Sequence, residues 1–317
     1  MVLKITAFAG GVGGAKLIDG LAALLPAENL RVVVNTGDDF EHFGLTICPD
    51  LDTVTYTLAG LANPLTGWGR AEESWHVLET VEQLGGPTWF QLGDRDLALH
   101  LERTRLLQNG EPLSAVCAKL CAQLGIAVQV LPMSDDAMRT MVLTDKGVLP
   151  FQEYFVASRW EPKVSGFQFQ GVENARPAPG VVDAIQFADC IVFCPSNPWV
   201  SLDPILAVPG LRAAVAQKPV IGISPIVGSQ AIKGPAAKMY SELGYQPSAL
   251  VVAKHYADLL TGFVIDKEDA ELQSRISDLG MLVHVTNIVM QNQNDQRRLA
   301  EEVLEYVSKE VLTVVKS

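Results

Sequence analysis

Residues 5–16 constrain the fold more than any other stretch. An apolar run, Ile5 to Ala9, leads directly into Gly10-Gly11-Val12-Gly13-Gly14-Ala15-Lys16, and a helical pattern over Ala15–Leu25 follows. A short apolar strand that turns on glycines into a helix opens a parallel strand–helix–strand unit. Glycines at such a turn permit positive φ and leave no Cβ to block a ligand, and the N–H groups at the helix start face an anion. Gly10, Gly11, Val12, Gly13, Gly14 and Lys16 are therefore candidate phosphate-binding residues. The turn is not a Walker A loop, because Ala15 replaces its last glycine and Leu17 its Ser/Thr, and it is not a GxGxxG fingerprint. The plain alternative is a strand–helix turn that needs glycines only for packing.

The next strand is expected over Arg31–Asn35. From Pro179 the alternation returns. A helix around Val181–Phe187 precedes a strand Cys190–Cys194, a helix near Leu211–Ala216 precedes Pro219–Ser224, and a helix around Ala236–Leu243 precedes Ala249–Val252, the next run in the strand position. Asp295–Val311 has the pattern of a long amphipathic helix. The middle of the chain differs. Residues 61–125 are mostly helical in pattern, and 127–170 read as short strands and turns. The expected architecture is α/β: a doubly wound, mostly parallel, Rossmann-like sheet with a largely helical middle insertion. It forms one domain, with a core from about 1–60 and 176–317 and an insertion over about 61–175.

In an open parallel sheet, ligands bind beyond the carboxyl ends of the strands. Three loops of the C-terminal part fall on that side: Ser196-Asn197-Pro198, Ser224 to Gly228, and Lys233-Gly234-Pro235-Ala236. Lys233 is placed to reach a phosphate, and Asn197 to read a base or ribose.

The second dense feature is acidic. Asp38, Asp39, Asp50 and Asp52 fall within fifteen residues, the first two in a loop after the second strand and the others at a helix start, where one of them is expected to cap. Carboxylates beside a phosphate cradle repel the phosphate unless a cation lies between them. Mg²⁺ is held by one or two carboxylates plus substrate phosphates, so Asp38, Asp50 and Asp52 are candidate metal ligands. Arg95, in Leu92-Gly93-Asp94-Arg95-Asp96, can neutralise a phosphate through its fork. Asp38, Asp50, Asp52 and Arg95 are the candidate catalytic residues. Of the five histidines only His42 lies in the acidic stretch, and none has metal-ligand spacing.

The formal net charge of −12 argues against a nucleic-acid surface, which needs clustered Lys and Arg. No apolar run reaches the roughly 18–20 residues of a membrane span, and the N-terminal residues read as a strand rather than a signal peptide, so a cytoplasmic protein is expected. Five cysteines, an odd number without zinc-ribbon spacing, read as small buried apolar residues.

Together these residues resemble the CofD family. The resemblance is carried by Gly-Gly-Val-Gly-Gly-Ala-Lys-Leu (10–17), Asn-Thr-Gly-Asp-Asp (35–39), Ile-Cys-Pro-Asp-Leu-Asp-Thr (47–53), Trp-Phe-Gln-Leu-Gly-Asp-Arg-Asp-Leu-Ala (89–98), Pro-Ser-Asn-Pro (195–198), Ser-Pro-Ile-Val-Gly (224–228) and Lys-Gly-Pro-Ala (233–236), in order along nearly the whole chain. The family comprises 2-phospho-L-lactate transferases of coenzyme F-420 biosynthesis. The resemblance implies Mg²⁺-dependent transfer from a guanosine diphosphate ester of a small phospho-acid to the deazaflavin Fo, with release of GMP. It implies Asp50 at the acceptor site with Gly93, Asp94 and Arg95, and the glycine turn, Ser196, Asn197, Gly228 and Lys233 on the nucleotide side. It also implies a homodimer. The acid stays open among phospholactate, phosphoenolpyruvate and 3-phosphoglycerate. The competing reading is a regulatory protein of the same superfamily that binds a nucleotide or nucleotide-sugar without transfer. The segments 70–75 and 291–298 match the family pattern less closely than the rest.

Overall fold

A computed structural model of the chain describes residues 2–228, 230–231 and 236–316. Its centre is a sheet of seven parallel strands: β1 (Ile5–Ala9), β2 (Leu30–Val34), β3 (Gln129–Pro132), β4 (Cys190–Phe193), β5 (Val220–Ile223), β6 (Gly262–Asp266) and β7 (Leu282–Thr286). The spatial order is β7-β6-β5-β4-β1-β2-β3. Ile5 of β1 pairs with Leu30 on one side and Cys190 on the other, so β1 lies inside the sheet with every residue buried. Helices cover both faces, which is why these strands are continuously apolar rather than alternating with polar residues. Side-chain direction still alternates. Phe8, Val33 and Phe193 enter the core on one face, and Ala7, Ala9, Val32, Val34 and Val192 enter the core on the other.

The helices include α1 (Gly11–Ala22), α2 (Pro49–Leu58), α3 (His76–Gln83), α4 (Asp94–Gln108), α5 (Leu113–Gln123), α6 (Val181–Phe187), α7 (Ala249–His255) and α8 (Gln293–Tyr306), and Ala236–Glu242 is helical as expected. Strand order reverses between β1 and β4, and that switch point is where a doubly wound sheet opens a ligand crevice. The middle of the chain carries α3, α4 and α5, but Gln129–Pro132 joins the central sheet at its edge. A separate antiparallel sheet follows, with Arg139–Thr144 between Gly147–Pro150 and Val164–Gln170. Thr140 N–H donates to Gly37 O at 2.7 Å, which ties this sheet to the loop after β2.

Two expectations need correction. The run at Ala249 is not a strand. It is α7, opened by Ser248, whose hydroxyl accepts from Val251 N–H. A short buried apolar run has no periodicity that separates helix from strand, and the serine cap decides here. The start of α2 is also different. Cys48 occupies the cap position and Pro49 the first turn, where its fixed φ suits a helix start. Asp50 and Asp52 both lie inside the first turn, where their charge favours the positive end of the helix dipole.

Candidate active site

The switch point brings the glycine turn against the loop after β4. Ser196 Oγ donates to Gly10 O at 2.8 Å, and Gly10 N–H is 3.3 Å from the same hydroxyl. The glycines divide into two kinds. A Cβ on Gly13 would lie 2.3 Å from Pro195 O, and one on Gly14 would lie 2.7 Å from Ala9 Cβ. These two let α1 pack closely against β1 and the loop after β4. Gly13→Ala is therefore expected to cost about 1–3 kcal/mol, as overpacking does. Urea unfolding measures it, and a loss under about 0.5 kcal/mol would mean that the Pro195 loop yields without strain.

Gly10 and Gly11 face the acidic residues instead. A Cβ on Gly10 would lie 2.5 Å from Asp50 Oδ2, and Gly11 has a φ of 65°. Asp50 Oδ2 accepts from Asn35 Nδ2 at 2.9 Å, and Gly11 N–H also supports the carboxylate. Asn35, fully buried at the end of β2, donates to Val200 O at 3.1 Å and accepts from Gly37 N–H at 2.8 Å. One amide thus joins the loops after β2 and β4 to the start of α2. The sequence singles Asn35 out only as part of a motif. Lys16 donates to Met290 O at 2.7 Å, in the loop after β7.

Asp38, Asp39, Asp50 and Asp52 are all buried. Burial pushes the Asp38 carboxyl well above its usual range, and the charge of Asp50 pushes it further. Burial raises Asp50 to about 6, against the pull of Asn35 and Gly11. Burial raises Asp39 to about 7, although Arg139 and Arg103 pull it down. One oxygen of Asp38, one of Asp39 and the Thr36 hydroxyl are buried without a hydrogen-bond partner. Buried polar atoms are nearly always paired, so orphans of this kind mark a place for a ligand. The positive charges nearest the cluster are Arg103 and Arg139, both of which pull on Asp39.

Asp52 points the other way. Arg103 grips it with both fork nitrogens, at 3.1 Å between Nη1 and Oδ2 and at closer range between Nη2 and Oδ1. Arg103 Nη1 also lies 3.2 Å from His100 Nδ1, His100 Nε2 lies 3.2 Å from Asp96 Oδ1, and Tyr56 OH donates to Asp96 at 2.5 Å. Burial alone would raise Asp96, but His100, Tyr56 and Arg103 outweigh it and hold its carboxyl below the usual value. With its oxygens committed to Arg103, Asp52 leaves the candidate metal set, and Asp38 and Asp50 remain. Among the described residues no three carboxylate, His or Cys side chains form a metal site by themselves. That is compatible with Mg²⁺, which completes its shell with substrate phosphates and water. His42 is buried among Phe40, Phe43, Trp89 and Phe90, which lowers its pKa.

The Gly93–Arg95 turn does not touch this cluster. Asp94 accepts from Ser74 Oγ at 2.7 Å and from His76 and Val77 N–H at 3.1 Å, so it caps α3. Glu73 returns the favour by accepting from Arg95 and Asp96 N–H at 2.8 and 2.9 Å, and a Cβ on Gly93 would strike its carboxylate. Arg95 is exposed, 3.3 Å from Glu72. Asp52 meets Arg103 late in α4, while Tyr56 meets Asp96 early in it, so the two helices run antiparallel. The Gly93–Arg95 turn therefore sits at the far end of α2, offset from Asp50 by roughly 9 Å of helix. On the nucleotide side, Asn197 Oδ1 accepts from Trp199 N–H at 3.1 Å, capping its own turn. Gly228 N–H donates to Asp269 at 3.0 Å. Lys233 lies outside the described residues.

The family description "2-phospho-L-lactate transferase CofD" matches residues 5–312. The chain belongs to the CofD family. It is 43% identical over 310 residues to the phosphoenolpyruvate transferase of Streptomyces coelicolor, covering 95% of this chain and 97% of that protein. It is 36% identical over 298 residues to the 2-phospho-L-lactate transferase of Methanosarcina mazei, covering 94% and 98%. Among solved structures, a UPF0052-family protein from Bacillus halodurans superposes with a TM-score of 0.63 at 15% identity, over 96% of this chain and 99% of that one. That likeness shows the fold alone. As a CofD protein the chain is a transferase enzyme. Among the described residues no helix is long and apolar enough to cross a membrane.

Two residues that contact the acidic stretch escaped the sequence reading: Arg103 and His100. Their signal was present. Asp96, His100 and Arg103 follow one another at helical spacing on one face of α4. Polar residues in that pattern also describe a solvated face, and only their burial, at 1% exposure for His100 and 3% for Arg103, separates the two.

Proposed function

We propose that the protein transfers a small phospho-acid from its guanosine diphosphate ester to the terminal ribityl hydroxyl of Fo, with GMP leaving, and that Mg²⁺ is required. The observation that carries this reading is the buried Asp38–Asp50 pair set against Gly10 and Gly11 at the switch point of the sheet. Asp38 and Asp50 are the residues fitted to hold Mg²⁺, which would neutralise diphosphate charge there.

The remaining work falls to the chain. The hydroxyl oxygen attacks the distal phosphorus in line, a new P–O bond forms, and the bond from that phosphorus to the oxygen of GMP breaks. Such a transfer depends on positioning and charge neutralisation more than on covalent help. The hydroxyl proton passes to a carboxylate of the cluster. The glycine turn and Ser196 bound the nucleotide side. The offset between Asp50 and Arg95 suits a long acceptor whose ribityl end reaches Asp50. The higher identity to relatives named phosphoenolpyruvate transferase puts phosphoenolpyruvate first among the acids. A homodimer belongs to the same proposal.

The test is turnover of Fo by the purified protein with each guanosine-diphospho acid supplied separately, the products being identified by mass. A phosphodiester-linked deazaflavin that disappears on chelation of Mg²⁺ is the expected result. GDP binding without product from any donor would overturn the proposal in favour of a nucleotide-binding protein without transfer.

A further inference from the structure

We propose that the buried seam Tyr56–Asp96–His100–Arg103–Asp52 is a positioning device that locks the register of α4 on α2, and thereby sets the distance between Asp50 and the Gly93–Arg95 turn. The inference rests on the acceptor site proposed above. It goes beyond that site by assigning Arg103 and His100 a role in spacing it, although neither touches a reacting atom.

The geometry is specific. Asp96, His100 and Arg103 stand at i, i+4 and i+7 on α4, and Asp52 and Tyr56 stand at i and i+4 on α2. The contacts are made one to one: Tyr56 with Asp96, Arg103 with Asp52, and His100 between Asp96 and Arg103. Arg103 has only donors, so its contact with His100 uses Nδ1 as acceptor and leaves Nε2 to face Asp96. An apolar stripe would bury the same face without the cost of desolvating charges. It would also slide. Leucines repack against new neighbours after a shift of one turn, but a guanidinium and a carboxylate lose their partners. One turn of slip would move Arg95 by about 5.4 Å relative to Asp50, a large error for an acceptor hydroxyl that must meet a phosphorus in line. The crossed caps extend the effect. Glu73 on the start of α4, and Asp94 on the start of α3, make the 72–77 segment move with α4.

The test compares His100→Leu with His100→Gln, whose amide can both accept from Arg103 and donate to Asp96. Arg103→Lys, which keeps the charge but loses the fork, is the third variant. His100→Leu and Arg103→Lys are expected to raise the KM for Fo about tenfold with GDP affinity unchanged within about twofold, and His100→Gln to recover most of that loss. An unchanged KM for Fo, or a matching loss of GDP affinity, would overturn the proposal and leave the seam a stabilising element only. The register is read independently by amide hydrogen exchange. Faster exchange at residues 94–97 in His100→Leu, with the rest of α4 still protected, supports a loosened register, and unchanged exchange there rejects it. Wild-type protein that binds GDP but does not use Fo would instead reject the acceptor site itself.

Discussion

Asp50→Asn is expected to lower turnover by about 10³-fold while leaving the melting temperature unchanged or higher. The two effects separate because Asp50 is costly to the fold. It is buried, it raises Asp38 by its charge, and its support comes from Asn35 and the Gly11 N–H. Asparagine keeps an oxygen for those donors and removes the repulsion. Charge at a reacting centre is held against stability, so its removal commonly stabilises. Product mass under saturating donor and acceptor measures the first effect, and a thermal melt the second. A variant that keeps more than about a tenth of wild-type turnover would remove Asp50 from the chemistry.

Ligand-free protein in chelator is expected to lose stability as pH rises from about 5 to 8, and added Mg²⁺ to flatten that loss. Asp50 and Asp39 titrate at about 6 and about 7, and Asp38 is also raised. The unfolded chain holds aspartates near about 3.9. Between those limits the folded state binds more protons than the unfolded state, so stability falls with rising pH. The contribution is fully present below about pH 4 and gone above about pH 7, with a size on the order of 7 kcal/mol for Asp50 and Asp39 together. Asp94 and Asp96, held low by their partners, act in the opposite sense, but they lose their contribution only as pH falls below about 4. His42 opposes the trend below about pH 6.5, while Asp19 and Asp269, also raised by burial, reinforce it. Melts across the pH range in chelator and in Mg²⁺ give the answer. A flat or rising curve in chelator would mean that the carboxylates bear no unbalanced charge.

The strand, glycine turn and helix at the N-terminus were legible because all their determinants are local. An apolar run, a turn that only glycine fits and a helical period occupy adjacent residues, and the structure keeps that order. The loop after β4 was legible for the same reason. The run at Ala249 was not, because four apolar residues in a row satisfy a buried strand and a buried helix equally. Gln129–Pro132 shows the same limit at the level of topology. Its strand character is visible, but its place at the edge of the central sheet depends on pairing with β2, about a hundred residues earlier.

The acidic residues divide along the same line. That Asp38, Asp39, Asp50 and Asp52 lie near a phosphate-type turn follows from the sequence, since short loops join them to neighbouring strands. Which of them are free does not. Asp50 and Asp52 are two residues apart in one helical turn and so point to different sides, one to the glycine turn and the other to α4. The partner that claims Asp52 is Arg103, 51 positions away. Sequence alone determined the fold class and the family, because those rest on local patterns and on their order along the chain. Only the tertiary structure decided that Asp50 turns to Asn35 and the glycine turn while Asp52 belongs to the α2–α4 seam. Charge pairing in a buried interior is set by distances between helices, and no local stretch of sequence contains those distances.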